Sequence, residues 1–457
     1  MKHRCRCRQI LKTVSLLLAC ALIGGCNVGQ AVLVDPVEPS GDAVLQLVNN
    51  SSAGELSSPY ASEYPSINDT SVFPSESMIQ QVAVRFYGEN GGEETKAVWI
   101  SYLDMGALLT NKTETQFRSN ISTAFQNVKD FGLNTVIVQV RPFGDALYDS
   151  EYFPWSYLIT GTEGRSADFD PLAIMVDEAK SKGLRIEAWV NPYRVRAAGN
   201  DKALCSDNQA RIWLDAGDSA VIQYNGILSY NPASEKARSH IISGIREIVR
   251  DYDIDAIHID DYFYPTTDTA FDQASYTAYQ NNGGAMSLGD WRRNNVEKLL
   301  KGIYSAIKEE NPQVLFGISP TGNISNNYSQ QYLDVSKILS TTGYCDYICP
   351  QVYWGFEHES QPFGQVVKDW NSLIGTSEID LYIGIAAYKL GGTDSWAGQG
   401  QYEWQGTSTL LRSMVEASRE LSGYGGFVLF RYDSLFNPGS SVTAQVNKEC
   451  GNLKQIL

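Results

Sequence analysis

The chain has 457 residues, 43% of them hydrophobic and 19% charged, which is enough for one large catalytic body with accessory segments. Its formal net charge of −16 excludes attachment to nucleic acid through phosphate attraction and repels any anionic polymer, which could be held only by stacking and hydrogen bonds. The chain lacks a phosphate loop, a dinucleotide fingerprint and a Gly-x-Ser-x-Gly elbow, so nucleotide-dependent and serine-hydrolase chemistry also fall away.

Residues 1–12 hold five basic side chains (Lys2, Arg4, Arg6, Arg8 and Lys12) and no acidic one, and Thr13 to Gly25 is an apolar run closing in small residues. This is the pattern of an export signal over residues 1–25, because about 13 apolar residues fall short of the roughly 20 that a membrane-spanning helix needs. The run ends Ile-Gly-Gly-Cys, which puts Cys26 where a bacterial lipoprotein is cleaved and acylated. Cys20 is an earlier candidate, and the longer apolar run favours Cys26. The expected product is an exported monomer tied to the cell membrane only through its N-terminal lipid and facing the cell wall or the exterior. Loss of residues 1–25 takes the formal charge from −16 to −21. It also leaves Cys205, Cys345, Cys349 and Cys450, none of them at zinc-site spacing. Cys345 and Cys349 lie four apart on one expected strand and read as buried thiols on the same face.

Residues 26–94 are rich in Ser, Pro, Gly, Asn and Glu and lack sustained periodicity, so they read as a flexible tether, with Val82 to Tyr87 as a candidate strand. From Lys96 apolar runs alternate with amphipathic stretches, eight of each. Ala97 to Asp104 is the first strand, and the helix after it starts at Thr113, whose hydroxyl forms a capping box with Gln116. Asn134 to Pro142 is the second strand; its helix opens at Asp170-Pro171 and closes at Gly183. Arg185 to Arg194 is the third strand, followed by a helix from Asn231-Pro232 to about Asp251. Ile254 to Pro265 is the fourth, with a helix from about Gly289 to Asn311. Val314 to Pro320, Asp346 to Trp354, Leu381 to Lys389 and Gly425 to Asp433 supply the last four strands, separated by helices near Gln331 to Leu339, Phe363 to Ile374 and Ser408 to Leu421. Residues 441–457 form a tail or last helix.

Alternating strand and helix units imply a parallel sheet, and eight of them imply a TIM (β/α)8 barrel over residues 95–440. A doubly wound open sheet is the remaining fold that gathers polar groups at strand ends. Polar or aromatic residues do end nearly every strand here, as Asp104, Arg141, Asn191, Asp260, Ser319, Gln351, Tyr388 and Arg431 show. Barrel enzymes place their chemistry at those carboxyl ends.

The sharpest feature is His258 to Pro265, "HIDDYFYP", where Asp260 and Asp261 sit side by side at the mouth of a buried strand. Neighbours on a regular strand point to opposite sides, so both can serve one cleft only if the strand ends there. Desolvation and mutual repulsion would then raise one pKa and leave the other group ionised, which is the division of labour that glycosidic hydrolysis needs. The competing readings are a loop cap and an ion pair with Arg141 or Arg194. Around the pair, Arg141 and Asp145, Trp189, Asn191 and Arg194, Tyr264, Gln351, Tyr353 and Trp354, and Tyr388 are the candidate substrate contacts, a mixture of donors and aromatic faces that suits a sugar ring. His258, Asp260 and Asp261 could also be read as metal ligands. His258, however, lies deeper in the barrel, and outside the export signal only His240 and His358 remain as imidazoles, so no metal and no cofactor is expected.

The segments "QVRPFGDALY", "DPLAIMVDEAKSKGLRIEAWVNPYR", "IDDYFYP", "GISPTGN" and "PQVYW" together resemble the bacterial glycosyl-hydrolase-like family 10 lipoproteins over about Lys96 to Arg431. The resemblance implies a lipid-anchored TIM-barrel glycosidase with members acting on peptide-free peptidoglycan glycan, and it maps the family's paired aspartates onto Asp260 and Asp261. A looser similarity is to family 18 chitinases: Asp255, Asp260, the Tyr264-Pro265 ending and Tyr353 agree, while His258 and Tyr262 replace two of that family's acids. The resulting expectation is a polysaccharide hydrolase in which Asp261 protonates the leaving oxygen and Asp260 stabilises the positive centre or orients a substrate acetamido group. Its rivals are a non-catalytic glycan-binding lipoprotein and a metal-dependent polysaccharide deacetylase or esterase. Glu357 and Glu359 are further candidates for a second carboxylate.

Overall fold

The computed structural model describes residues 93–457; the export signal, Cys26, the candidate strand at 82–87 and nearly all of the tether lie outside the described residues. In chain order the strands are β1 (Thr95–Ile100), β2 (Thr135–Arg141), β3 (Arg185–Val190), β4 (Arg194–Arg196), β5 (Val221–Tyr224), β6 (Ile227–Tyr230), β7 (Ala256–Ile259), β8 (Leu315–Ile318), β9 (Tyr347–Ile348), β10 (Gln351–Val352), β11 (Asp380–Ile385) and β12 (Tyr424–Leu429). Parallel pairing runs β1-β2-β3-β7-β8-β9; β11 takes both β9 and β10, and β12 joins β11 back to β1. The sheet therefore closes into the eight-position TIM (β/α)8 barrel, and the open sheet is excluded. β9 and β10 share one barrel position, broken at Pro350, which has no N–H for a ladder.

Strand alternation builds two separate apolar layers. Val98, Ile100, Val136, Val138, Ile186, Ala188, Ile257 and Ile259 pack against the helices, whereas Ala97, Trp99, Ile137, Trp189, Ala256 and Val428 fill the barrel. Inside, bulky rings depend on glycine neighbours. A Cβ on Gly317 would lie 1.8 Å from the Tyr347 ring, and one on Gly384 would lie 2.9 Å from Trp99. Gly317→Ala is accordingly expected to cost about 3 kcal/mol by overpacking, read as a lowered denaturation midpoint with an unchanged slope.

The helices start and stop where local chemistry dictates. Thr113 and Gln116 form the full capping box of the helix Glu114–Phe131, which ends at Gly132 with φ 104°. Thr113→Ala should remove about 1 kcal/mol of stability, measurable by urea unfolding. Asp170 caps Pro171–Lys182, with Pro171 at the first helical position and Gly183 closing at φ 66°. Several boundaries differ from expectation, and three of them show their cause locally. β1 ends at Ile100, because Ser101 caps a short helix, Tyr102–Leu108, and Asp104 folds back to the Ser101 N–H at 2.7 Å. The third helix begins at Glu235 under a Ser234 cap, since the Asn231 side-chain oxygen accepts from the Ala233 N–H in a local turn before the helix and its amide nitrogen goes to Ser219 and Ser275. The helix expected from Gln331 spans only Val335–Leu339, because Tyr332 sits at φ 55°.

Sequence reasoning missed the antiparallel sheet β4-β6-β5 that follows β3. Its signal was present in "QYNGILSY": Asn225 and Gly226 take φ 48° and 80° between β5 and β6, which is the turn a two-residue hairpin requires. The expectation for Cys345 and Cys349 is corrected as well. Cys345 packs in the outer layer and Cys349 inside the barrel, because β9 is only two residues long and does not carry one strand parity across both.

Candidate active site

β7 ends at Ile259, so Asp260 and Asp261 are the first residues beyond the strand and are free of its strict alternation. Asp260 is the inner one, 3% exposed, and Asp261 is half-buried. The Asp260 Oδ2 accepts from Trp189 Nε1 at 3.1 Å and from Asn191 Nδ2 at 2.5 Å, while Oδ1 accepts from the Tyr262 N–H at 3.3 Å. The Asp261 Oδ1 accepts from Gln351 Nε2 at 3.1 Å, and the same amide nitrogen reaches the Ser319 carbonyl. Trp189, Asn191 and Gln351, all expected contacts, are thus brought to the pair from two strand ends, those of β3 and β10.

Behind Asn191 stands a residue that sequence reasoning passed over. Gln139, in β2 and 1% exposed, donates from Nε2 to Asn191 Oδ1 at 2.6 Å and accepts at Oε1 from the Tyr102 N–H at 2.8 Å. Its signal was a polar residue of inward parity in an otherwise apolar strand, two positions after Ile137.

On one side of the pair, Arg194 donates to the Pro142 carbonyl at 2.9 Å and lies 4.2 Å from the Tyr262 ring and 4.9 Å from that of Phe143. It is therefore held by aromatic faces instead of a carboxylate. On the other side, Tyr353 meets Tyr388 edge-on with ring centres 5.8 Å apart, and Phe430 closes the group at 5.7 Å from Tyr353. Trp354 packs against His358 at 6.0 Å. The loop leaving β7 is pinned from below by Arg292. Its Nε and NH2 take both oxygens of Asp272 at 3.0 and 2.5 Å, and its remaining donors reach the Thr267 and Asp268 carbonyls.

Burial first, and then the Asp261 charge, push the Asp260 carboxyl up to about 7; Arg194, the Tyr262 N–H and Asn191 pull it the other way. Asp261 is also raised, again by burial, against its bond to Gln351 and the charge of Arg194. Tyr353 is pushed well up by burial, with Tyr388, Asp261 and Asp260 among the groups adding to it.

Three expected contacts are not brought to this cluster. The register of β2 on β3 slips between Gln139 and Arg141, and Arg141 ends fully buried with its guanidinium 4.2 Å from the Phe153 ring. Asp145 is fully buried beside Arg196, at 3.5 Å. Tyr264 is packed edge-on against Tyr332 at 5.1 Å and Phe271 at 6.1 Å. Glu357 and Glu359 are exposed on a loop whose backbone is held by Glu403, and none of their recorded contacts is with either aspartate.

The floor beneath the pair is a hydrogen-bonded column. The Trp99 Nε1–H donates to His258 Nε2 at 3.1 Å, which fixes the imidazole tautomer with its proton on Nδ1. Nδ1 lies 2.8 Å from the Tyr347 hydroxyl, and that hydroxyl donates to Glu187. Burial pushes His258 down to about 3 and raises Glu187. His258 is neutral and engaged at both nitrogens, and among the described residues no group of three or more His, Cys, Asp or Glu side chains is arranged to hold a metal ion.

Residues 94–402 match the family model described as Glycosyl hydrolase-like 10. The chain is 35% identical over 353 residues to the Bacillus subtilis glycosyl hydrolase YngK, covering 72% of this chain and 68% of that protein. It is 32% identical over 342 residues to the Escherichia coli K12 glycosyl hydrolase DigH, covering 68% and 75% respectively. Among solved structures, the PgaB (BpsB) glycoside hydrolase domain from Bordetella bronchiseptica aligns at 12% identity with a TM-score of 0.49, covering 77% of this chain and 98% of that one. A closed barrel carrying an Asp-Asp tip on its fourth position, with a family match over most of the chain, leads to one statement: the chain belongs to the glycosyl hydrolase-like 10 family.

Proposed function

We propose that the protein is an endo-acting glycosidase of an N-acetylhexosamine-containing polysaccharide, peptidoglycan glycan strands first, exported and held at the membrane by lipid on Cys26. The observation that carries this reading is the pair itself: two adjacent carboxyls of unequal burial, both with raised proton affinity, among fixed donors and an aromatic wall. The names of YngK and DigH, both glycosyl hydrolases, support the reaction class. The strongly negative body favours recognition by stacking and hydrogen bonds over charge pairing.

In this reading Asp261, the more exposed member, gives its proton to the leaving oxygen as the glycosidic C–O bond breaks. Asp260 faces the developing positive charge, or orients the substrate acetamido group whose oxygen attacks the anomeric carbon. Water then adds at that carbon and its proton returns to Asp261. Burial and the neighbouring charge hold the Asp260 carboxyl up at about 7, which favours a second reading in which the two roles are exchanged.

The test is mass analysis of products from amidase-stripped peptidoglycan, chitin oligosaccharides and plant glucans incubated side by side. Release of shorter amino-sugar oligomers is the expected result, and intact substrate in every incubation would sink the proposal. Binding without products, unchanged in Asp260→Ala and Asp261→Ala, would point to a glycan-binding protein, and deacetylated products lost on chelation would point to a metal-dependent deacetylase.

A further inference from the structure

The donors and acceptors around Asp260 have an order that can be read from one end without ambiguity. A backbone N–H can only donate, so the Gln139 side-chain atom 2.8 Å from the Tyr102 nitrogen is its oxygen. The Gln139 nitrogen therefore faces Asn191, which must answer with its own oxygen, at 2.6 Å. Asn191 is left with its nitrogen toward Asp260 Oδ2, at 2.5 Å. An indole N–H, again only a donor, reaches that same oxygen from Trp189 at 3.1 Å. Gln139, Asn191 and Asp260 are 1%, 0% and 3% exposed, so solvent offers no alternative partners along the chain.

We propose that Gln139 is a positioning residue: anchored on the Tyr102 backbone, it sets the Asn191 amide so that Asp260 Oδ2 is a permanent acceptor and the carboxyl carries its proton only on Oδ1. The relay has two effects on the pair. It holds the carboxyl plane, and it limits exchange with Asp261 or with a sugar to one defined oxygen. The groups that bear on the charge of Asp260 are Asp261 beside it, Arg194 on β4, Tyr262 on the loop after β7 and Tyr353 beyond β10. None of them is on β2, so a change at Gln139 that adds no charge acts on Asp260 through Asn191. The bonding argument stands by itself; its meaning in turnover rests on the reading of Asp260 and Asp261 as the acid pair.

Gln139→Glu is the informative variant, because it keeps the acceptor for the Tyr102 N–H and its size while losing the donor to Asn191. The Asn191 amide must then turn and offer oxygen to Asp260 Oδ2, which is acceptable only if that oxygen is protonated. The readout is an infrared titration of the Asp260 carboxyl, taken as wild type minus Asp260→Asn and as Gln139→Glu minus its own Asp260→Asn double variant. This measurement needs no substrate, so its outcome is independent of whether any glycan is cleaved. The expected result is a titration midpoint raised by at least about one pH unit in Gln139→Glu, with the thermal transition still cooperative. Because a new carboxylate at 139 would also repel the Asp260 charge directly, the deciding variant is Gln139→Met, which removes both polar atoms and adds no charge; it should raise the midpoint in the same direction by a smaller amount. A midpoint unmoved in folded Gln139→Met, or a wild-type Asp260 that titrates in the ordinary carboxylate range, overturns the proposal.

Discussion

Asp261→Asn is expected to lower turnover of a cleaved glycan by about two to four orders of magnitude while leaving its dissociation constant within a few-fold of wild type. The amide can still accept from Gln351 Nε2 through its own oxygen, so the substitution removes a transferable proton without removing the contact that holds position 261. The loss should depend on the leaving group. An aryl glycoside, which departs without protonation, should be cleaved by the variant far closer to the wild-type rate than a sugar–sugar bond. Steady-state kinetics on both substrate types make the comparison. Near-wild-type turnover of the natural linkage by Asp261→Asn, with the leaving-group dependence appearing in Asp260→Asn instead, would exchange the two roles.

Asp260→Asn should remove a large pH dependence of stability. The folded-state carboxyl is raised to about 7 from an ordinary 3.8, so the native protein binds the extra proton between those values. Its favourable contribution is complete below the unfolded pKa and is lost as pH rises through the folded one. Across the window from about pH 4 to about pH 7 the loss is on the order of 4 kcal/mol. An asparagine here stands in for the protonated form, since its oxygen can take the two bonds of Oδ2 and its NH2 group stands where the proton of Oδ1 would be, at the loss of the long 3.3 Å bond from the Tyr262 N–H. Wild type should therefore lose stability toward pH 8 relative to the variant, and the two should converge near pH 4. Asp104 and Glu187 are raised by burial in the same direction, so the difference between the two proteins, and not either curve alone, isolates position 260. Denaturation curves that stay parallel from pH 4 to pH 8 would show that Asp260 keeps an ordinary pKa.

Most of the barrel was legible because each unit carried its own punctuation. The Thr113–Gln116 box, the Asp170-Pro171 start and the Gly183 stop are local chemistry, and the structure uses all three. Asn231-Pro232 misled because the Asn231 oxygen closes a local turn on the Ala233 N–H and its nitrogen is fixed by Ser219 and Ser275, which leaves the cap to Ser234. At the site, Asp260, Asp261, Asn191, Trp189 and Gln351 were visible as polar or aromatic residues at strand ends, and the structure gathers them. Arg141 and Asp145 carried the same signal, yet a one-residue register slip in β2 turned Arg141 into the helical layer, and such a slip leaves no mark in the local pattern. Gln139 was hidden for the opposite reason: it lies within the strand, where a polar residue reads as an exception until its partners are known.

The column from Trp99 through His258 and Tyr347 to Glu187 gives the barrel a hydrogen-bonded floor on the side away from the Asp-Asp tip. Every rung is a buried side chain, so these four residues occupy the barrel interior below Asp260. In the proposed hydrolysis, water would then enter past the bound sugar or in the space vacated by the departing fragment. A fragment that lingers would accordingly hold back the second half of the reaction as well as the next substrate, which makes transfer to an added alcohol or sugar a natural competing fate.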